Sequence, residues 1–217
     1  MCNGFFNGKS FFKNKKEPTL DNLKLIIQNI ALLHKSKFQP NGIYDIWTAN
    51  HLVDEFTKKS KFLTKEEFDL IRPVVKKLKK VDYSKCTKAT IHKDVQRSNV
   101  LVNSENEIRI IDFSVMDYGP IVLELAIFIA LFAINPWKDT PQIAKEKYDF
   151  VINEYQKYRK LKKYELTIIP TLVLATYGAN TLPARHEREV KGSDTEETQY
   201  WIDIGVNGIK LFNKLTK

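Results

Sequence analysis

Apolar positions follow two different periods along this chain. From Leu20 they recur at helical spacing as Leu23, Ile26, Ile27, Ile30 and Leu33, which predicts an amphipathic helix to about His34. Ile43, Ile46, Trp47, Val53 and Phe56 carry the spacing into a second helix. Thr64 opens a third, with its hydroxyl free to cap the first amides while Glu67 reaches back. Phe68, Ile71, Val74, Val75 and Leu78 then form that helix's buried stripe.

The period shortens after Ser84. Ala89–Ile91, Val100–Val102 and Ile108–Ile111 are short β-branched runs separated by polar turns, predicting small strands with a hairpin over 103–107. Helices then return. Pro120 stands at a helix start, and 121–134 is apolar nearly all round, which predicts a central helix. Thr140 and Pro141 offer a cap and a first-turn proline for a helix through Tyr148, Val151, Tyr155 and Tyr158. Another starts near Tyr164 with a bend at Pro170. A last helix starts near Ser193, boxed by Glu196, and carries Trp201, Ile204, Ile209, Phe212 and Leu215. The fold class is therefore α+β, mostly helical, with a small β insert. Met1 to Pro18 shows neither period and reads as a lead-in loop.

Composition narrows this picture only in places. Hydrophobic residues make up 43% of 217, enough for one sizeable core, and no repeat or linker divides the chain. The formal charge of +9 raises nucleic acid as a partner. The lysines, however, are scattered on helix faces, as at Lys76, Lys77, Lys79 and Lys80, and no nucleic-acid module accompanies them. Anionic substrates or nucleotides are the better use of the charge. The two cysteines, Cys2 and Cys86, support neither a disulfide framework nor a zinc site and fit a reducing cytoplasm. The apolar run 121–134 contains Glu124 and is shorter than the ~17–25 residues of a membrane helix, so no membrane partner is expected.

The β insert carries the chemistry. It reads His92-Lys93-Asp94-Val95-Gln96-Arg97-Ser98-Asn99, an apolar strand, and later Ile110-Ile111-Asp112-Phe113. Taken singly, Asp94 and Asn99 are ordinary turn formers, Asp112 a cap and His92 a hydrogen-bonded core histidine. Taken together they supply what phosphoryl transfer needs: a carboxylate to take the proton of an attacking hydroxyl, and oxygen ligands for the magnesium that bridges nucleotide phosphates.

The pattern His-x-Asp-x-x-x-x-Asn followed by Ile-Asp-Phe resembles the catalytic and metal-binding segments of the aminoglycoside phosphotransferase and choline kinase-like family. That family is distantly similar to protein kinases. The resemblance implies Asp94 as catalytic base, His92 as the histidine bracing the catalytic loop, Asn99 as an auxiliary and Asp112 as the principal magnesium ligand. Leu32-Leu33-His34 and Gly119-Pro120-Ile121-Val122-Leu123-Glu124-Leu125-Ala126 resemble further family segments, with Glu124 as the acid that steadies the loop. It implies ATP or GTP and Mg2+ as cofactors, a small-molecule hydroxyl as acceptor, and a protein-kinase-like C-terminal lobe over 20–217.

Two departures stand out. Lys93 replaces the family's usual glycine, either as a nucleotide-binding contact to a phosphate or as a cation that crowds the site, and Glu124 replaces an Asp. The family's β-rich N-terminal lobe has no counterpart before Leu20, so residues 1–19 read as a hinge remnant. A separately encoded lobe or a homo-oligomer is the expected partner. Gly4-Phe5-Phe6-Asn7-Gly8-Lys9-Ser10 only superficially resembles a Walker loop, with too short a spacing and no preceding strand. The rival reading is a non-catalytic binding or regulatory module derived from such a kinase. Glu187, Glu189, Arg185 and Arg188 read as surface charge by default, with a pocket for an amine or an anion as the alternative.

Overall fold

The computed structural model describes residues 6–215. Cys2 and the first two residues of the Walker-like run lie outside them. Strand β1 (Lys9–Ser10) runs into a single helical turn, α1 (Phe11–Asn14), and then α2 (Leu20–Leu33). Thr64 and Glu67 cap α4 (Lys65–Leu78) reciprocally, as their spacing predicts, and Thr19 and Asn22 do the same for α2.

The second predicted helix is shorter than its apolar spacing suggests. Residues 43–48 are irregular, a 3-10 turn covers Ala49–His51, and only Leu52–Lys59 forms α3. The cause is local. The Asp45 carboxylate accepts the Trp47 N–H at 3.0 Å, and its carbonyl accepts the Thr48 hydroxyl at 2.8 Å. Such side-chain turns compete with helix formation.

Two small antiparallel sheets follow. In the first, β3 (Val100–Val102) lies between β1 and β4 (Ile108–Ile110), and the β3–β4 turn closes through an Asn103–Glu107 backbone bond of 3.2 Å. In the second, β2 (Lys88–Ile91) pairs with β5 (Asp117–Pro120), a strand its turn-forming residues hide from a sequence reading. The central apolar segment is α5 (Ile121–Phe128) continued by a π-helical turn, Ile129–Ala133, in which the Ile134 N–H reaches Ile129 O. Helix α6 (Pro141–Tyr158) is capped by Thr140. Helix α7 (Lys163–Lys191) runs continuously through Pro170 and Pro183.

The last helix, α8 (Glu196–Phe212), starts two residues later than expected. Gly192 ends α7 at φ 65°, and the chain regains the extended conformation a cap needs only at Thr195, whose hydroxyl accepts the Thr198 N–H. Helix α7 forms the spine of the core, buried over most of 168–184 and packed against α4, α5 and α8. Gly205 lets α8 approach so closely that a methyl group there would collide with the Tyr177 carbonyl.

The N-terminal stretch is docked on this body. Phe11 buries edge-on against Phe132 at 5.0 Å, and the Phe12 N–H donates to Arg97 O at 3.0 Å. Glu17 accepts from Arg97 at 2.9 Å and from Asn135 at 2.6 Å. Arg97 also donates from Nε to the Phe132 carbonyl, inside the π turn.

Candidate active site

Strand β2 delivers His92 into the core at its C-terminal end, where the side chain is wholly buried. Its Nδ1 accepts the Asp94 backbone N–H at 3.2 Å, so the ring proton sits on Nε2 and goes to Ile111 O at 2.9 Å. Burial lowers the His92 pKa, which keeps the ring in the neutral form this pattern requires. The Ile111 N–H donates in turn to Asn99 O at 2.9 Å. His92 thus joins the loop 92–99 to the segment that carries Asp112.

Asp94 is held from three sides. Asn99 Nδ2 donates to its Oδ2 at 2.6 Å and to its carbonyl at 3.1 Å, and Gln96 Nε2 donates to its Oδ1 at 3.1 Å. Burial pushes its carboxyl up to about 7 against the pull of these bonds, with Asp45 and Asp112 adding negative charge nearby. Asn99 spends its amide nitrogen on Asp94, so its Oδ1 is the atom left for a cation; Ser98 Oγ donates to it at 3.2 Å. Asp112 is exposed at φ 64°, a left-handed conformation that turns the chain beyond β4. Its Oδ1 accepts the Ser114 hydroxyl at 2.6 Å, which lowers its pKa and keeps it ionised.

Among the described residues no cluster of three or more His, Cys, Asp or Glu side chains could hold a metal by itself. Magnesium does not need one, since it typically takes one or two carboxylates and completes its shell with phosphate and water. One amide oxygen and one ionised, exposed carboxylate on bonded neighbouring segments fit that requirement.

Glu124, in the first turn of α5, braces the loop from below. Its Oε2 accepts the backbone N–H groups of both His92 and Lys93, the latter at 3.2 Å, while Oε1 has no partner. Complete burial pushes its carboxyl up to about 7. Lys93 takes φ 71°, which explains why a glycine is the less strained choice at this place. Its amino group is buried, donates to Ile43 O at 3.1 Å and lies 3.8 Å from Asp117. The expectation that Lys93 meets a nucleotide phosphate stands against that burial and those bonds.

Asp94 opens on a cavity of about 330 Å³, between the loop at 45–48, the catalytic loop, α7 and α8. Trp47 and Trp201 line it as neighbours, ring centroids 6.1 Å apart and tilted by 57°, and Asp45, Gln96 and Glu197 supply polar groups together with Thr48, Asn180 and the buried Lys93. Apart from Lys93, the sequence reading missed these residues as site residues. Gln96 lies inside the motif and was within reach, whereas Trp47 and Trp201 looked like ordinary helix-face residues. Arg185 and Arg188 line no part of the cavity. Arg185 forms a two-pronged pair with Glu67 at 2.6 and 3.1 Å, and Arg188 pairs with Asp194 at 2.9 Å.

A model of the phosphotransferase enzyme family matches residues 8–161. The chain belongs to that family. No curated protein sequence matches it. Solved structures show the same fold at low identity. A Plasmodium vivax ethanolamine kinase aligns with TM-score 0.61 and 17% identity over 96% of this chain and 63% of its own. A choline/ethanolamine kinase family protein from Mesorhizobium loti gives 0.66 and 13%, over 98% and 69%. A spectinomycin phosphotransferase, in complex with ADP and spectinomycin, gives 0.62 and 16%, over 98% and 70%. The chain therefore spans less than two thirds of the ethanolamine kinase's length. Among the described residues no helix is long and apolar enough to cross a membrane.

Proposed function

We propose that this chain is the metal- and acceptor-binding lobe of an ATP- or GTP-dependent phosphotransferase that acts on the hydroxyl of a small molecule. The observation that carries the reading is the placement of Asp94. Three neighbours hold it, its pKa is raised to about 7, and it lines a cavity of about 330 Å³ that is open to solvent on one side. A base titrating near neutral pH can take the acceptor's proton and pass it on. In this mechanism the acceptor hydroxyl sits in the cavity and donates its hydrogen bond to Asp94, so that its oxygen is aimed at the phosphoryl group. Gln96 and Asn99 keep the carboxylate from rotating away. Asp112 and Asn99 would hold magnesium, which would offset the charge of the nucleotide phosphates. A β-rich lobe that covers the nucleotide, within a longer protein or as a separate chain, completes the site.

The cavity favours an acceptor with a positive group. The indoles of Trp47 and Trp201 and the carboxylates of Asp45 and Glu197 attract an ammonium, while the one cation in the lining, Lys93, is turned to Ile43 O and Asp117. The test is transfer of the γ-phosphate from ATP to choline, ethanolamine or spectinomycin by the natural full-length protein that carries this chain. Transfer should fall by about 10²–10⁴-fold in Asp94→Asn, whose amide cannot accept the proton. Near-normal turnover in the variant would remove Asp94 as the base. A protein that binds magnesium-ATP yet phosphorylates no hydroxyl compound would favour the non-catalytic reading.

A further inference from the structure

Lys93 combines three properties that rarely occur together. It adopts a left-handed backbone conformation that costs a lysine energy and a glycine none. Its side chain is only 1% exposed although it carries a charge. Its amino group is spent on a loop fifty positions earlier in the chain, donating to Ile43 O at 3.1 Å with Asp117 at 3.8 Å. A buried lysine in a strained backbone persists only where its surroundings hold it, so the contact it makes identifies what it does.

That contact is the middle of the strap 38–48 linking α2 to the Ala49–His51 turn. Phe38, Ile43 and Tyr44 are all exposed, so apolar burial contributes little to fixing the strap's path. Polar anchors do that instead. Thr90 donates its hydroxyl to Phe38 O at one end, and Tyr44 donates to Glu55 at 2.8 Å. Lys93 pins the centre, where the Asp117 carboxylate packs so closely on Gly42 that a side chain there would have to push it aside. Directly beyond this point the strap delivers Asp45, Trp47 and Thr48 to the cavity beside Asp94.

We infer that Lys93 is a positioning residue for the acceptor wall: its buried ammonium anchors the strap that carries Asp45 and Trp47. The residue beside the proposed base thereby sets the shape of the opposite wall. The meaning of that wall rests on the acceptor reading above; the anchoring does not.

Hydrogen exchange on the full chain tests the anchor without any turnover. The amides to follow are Trp47 and Thr48, whose bonds to Asp45 depend on the strap's course. Lys93→Met removes the charge and Lys93→Gly also relieves the backbone. Both should speed exchange at these amides at least about tenfold, the loss expected for a hydrogen bond from a charged donor. The β3 and β4 amides should stay unchanged, and Lys93→Arg should restore most of the protection. Unchanged exchange at Trp47 and Thr48 overturns the inference, as does equal loosening of strap and sheet in all three variants.

Tetramethylammonium, titrated against tryptophan fluorescence, reads the wall itself. Its affinity should fall at least about tenfold in Lys93→Met and Lys93→Gly while magnesium binding holds. Unaltered affinity with a loosened strap overturns the positioning role. If the wild-type chain does not bind this cation while the strap still loosens in the variants, the cationic-acceptor reading fails and the anchor stands.

Discussion

Glu124→Gln should change the pH dependence of stability more than stability itself. Burial pushes the Glu124 carboxyl from 4.5 to about 7, with the two loop amides it accepts pulling the other way. The folded chain therefore keeps a proton on Glu124 between about pH 4.5 and 7, where the unfolded chain has released it. Protons bound in the folded state exceed those in the unfolded state across this window, so wild-type stability falls as pH rises through it. At about 1.4 kcal/mol per unit, this group's loss approaches roughly 3 kcal/mol above pH 7. Glutamine keeps an oxygen for the two amides and never ionises. Its NH2 would take the place of the partnerless Oε1, which adds an offset that does not vary with pH. The stability of the variant relative to wild type should therefore rise by roughly 3 kcal/mol from pH 4.5 to 7.5. For a chain of this size that is roughly 6–12 °C in Tm. Urea unfolding of both proteins across the range at constant ionic strength measures it. A difference that stays flat with pH would show that Glu124 titrates normally and that the catalytic loop rests on an ordinary charged acceptor.

Two further outcomes follow from the geometry. Asp112→Ala should weaken magnesium binding more than Asn99→Ala, because a carboxylate contributes charge and an amide only a dipole; the reverse order in a metal titration would count against the assignment. Arg185→Ala should destabilise the fold by about 3–5 kcal/mol by stranding the buried Glu67 carboxylate. Thermal unfolding checks this, and a change below about 1 kcal/mol would place the pair among weak surface contacts.

What the sequence disclosed depended on how local the determinant was. Thr64 with Glu67, and Thr140 with Pro141, mark helix starts because a cap acts within one turn. His92, Asp94, Asn99 and Asp112 could be proposed together for a similar reason: phosphoryl transfer would require those residue types at short spacing around one hairpin. The cavity was not, because Trp47 and Trp201 lie far apart in the chain and each satisfies the period of a helix face. Strand β5 escaped because Asp117-Tyr118-Gly119-Pro120 reads as a turn until β2 pairs with it. Asp45 converted a helical spacing into a loop by bonding its own neighbours. Ser193 looked like the cap, but Thr195 caps α8, three residues past the left-handed Gly192 that ends α7. Lys93 was conspicuous as a residue, yet only its positive φ and its bond to Ile43 show what it is attached to.

The two faces of Asp94 rest on different supports. The phosphate side is built within one compact stretch, 92–112, whose members bond mostly to one another. The opposite side is assembled from Trp47 on a surface strap, which Lys93 of that stretch ties down through Ile43 O, and from Glu197 and Trp201 on the final helix. On the proposed reading such a scaffold can be retargeted piecemeal: exchanging an indole or Glu197 would alter which alcohol is admitted, whereas exchanging Asp45 would also remove negative charge from beside Asp94. Libraries confined to positions 47, 197 and 201 should therefore yield altered acceptor choice far more often than inactive protein.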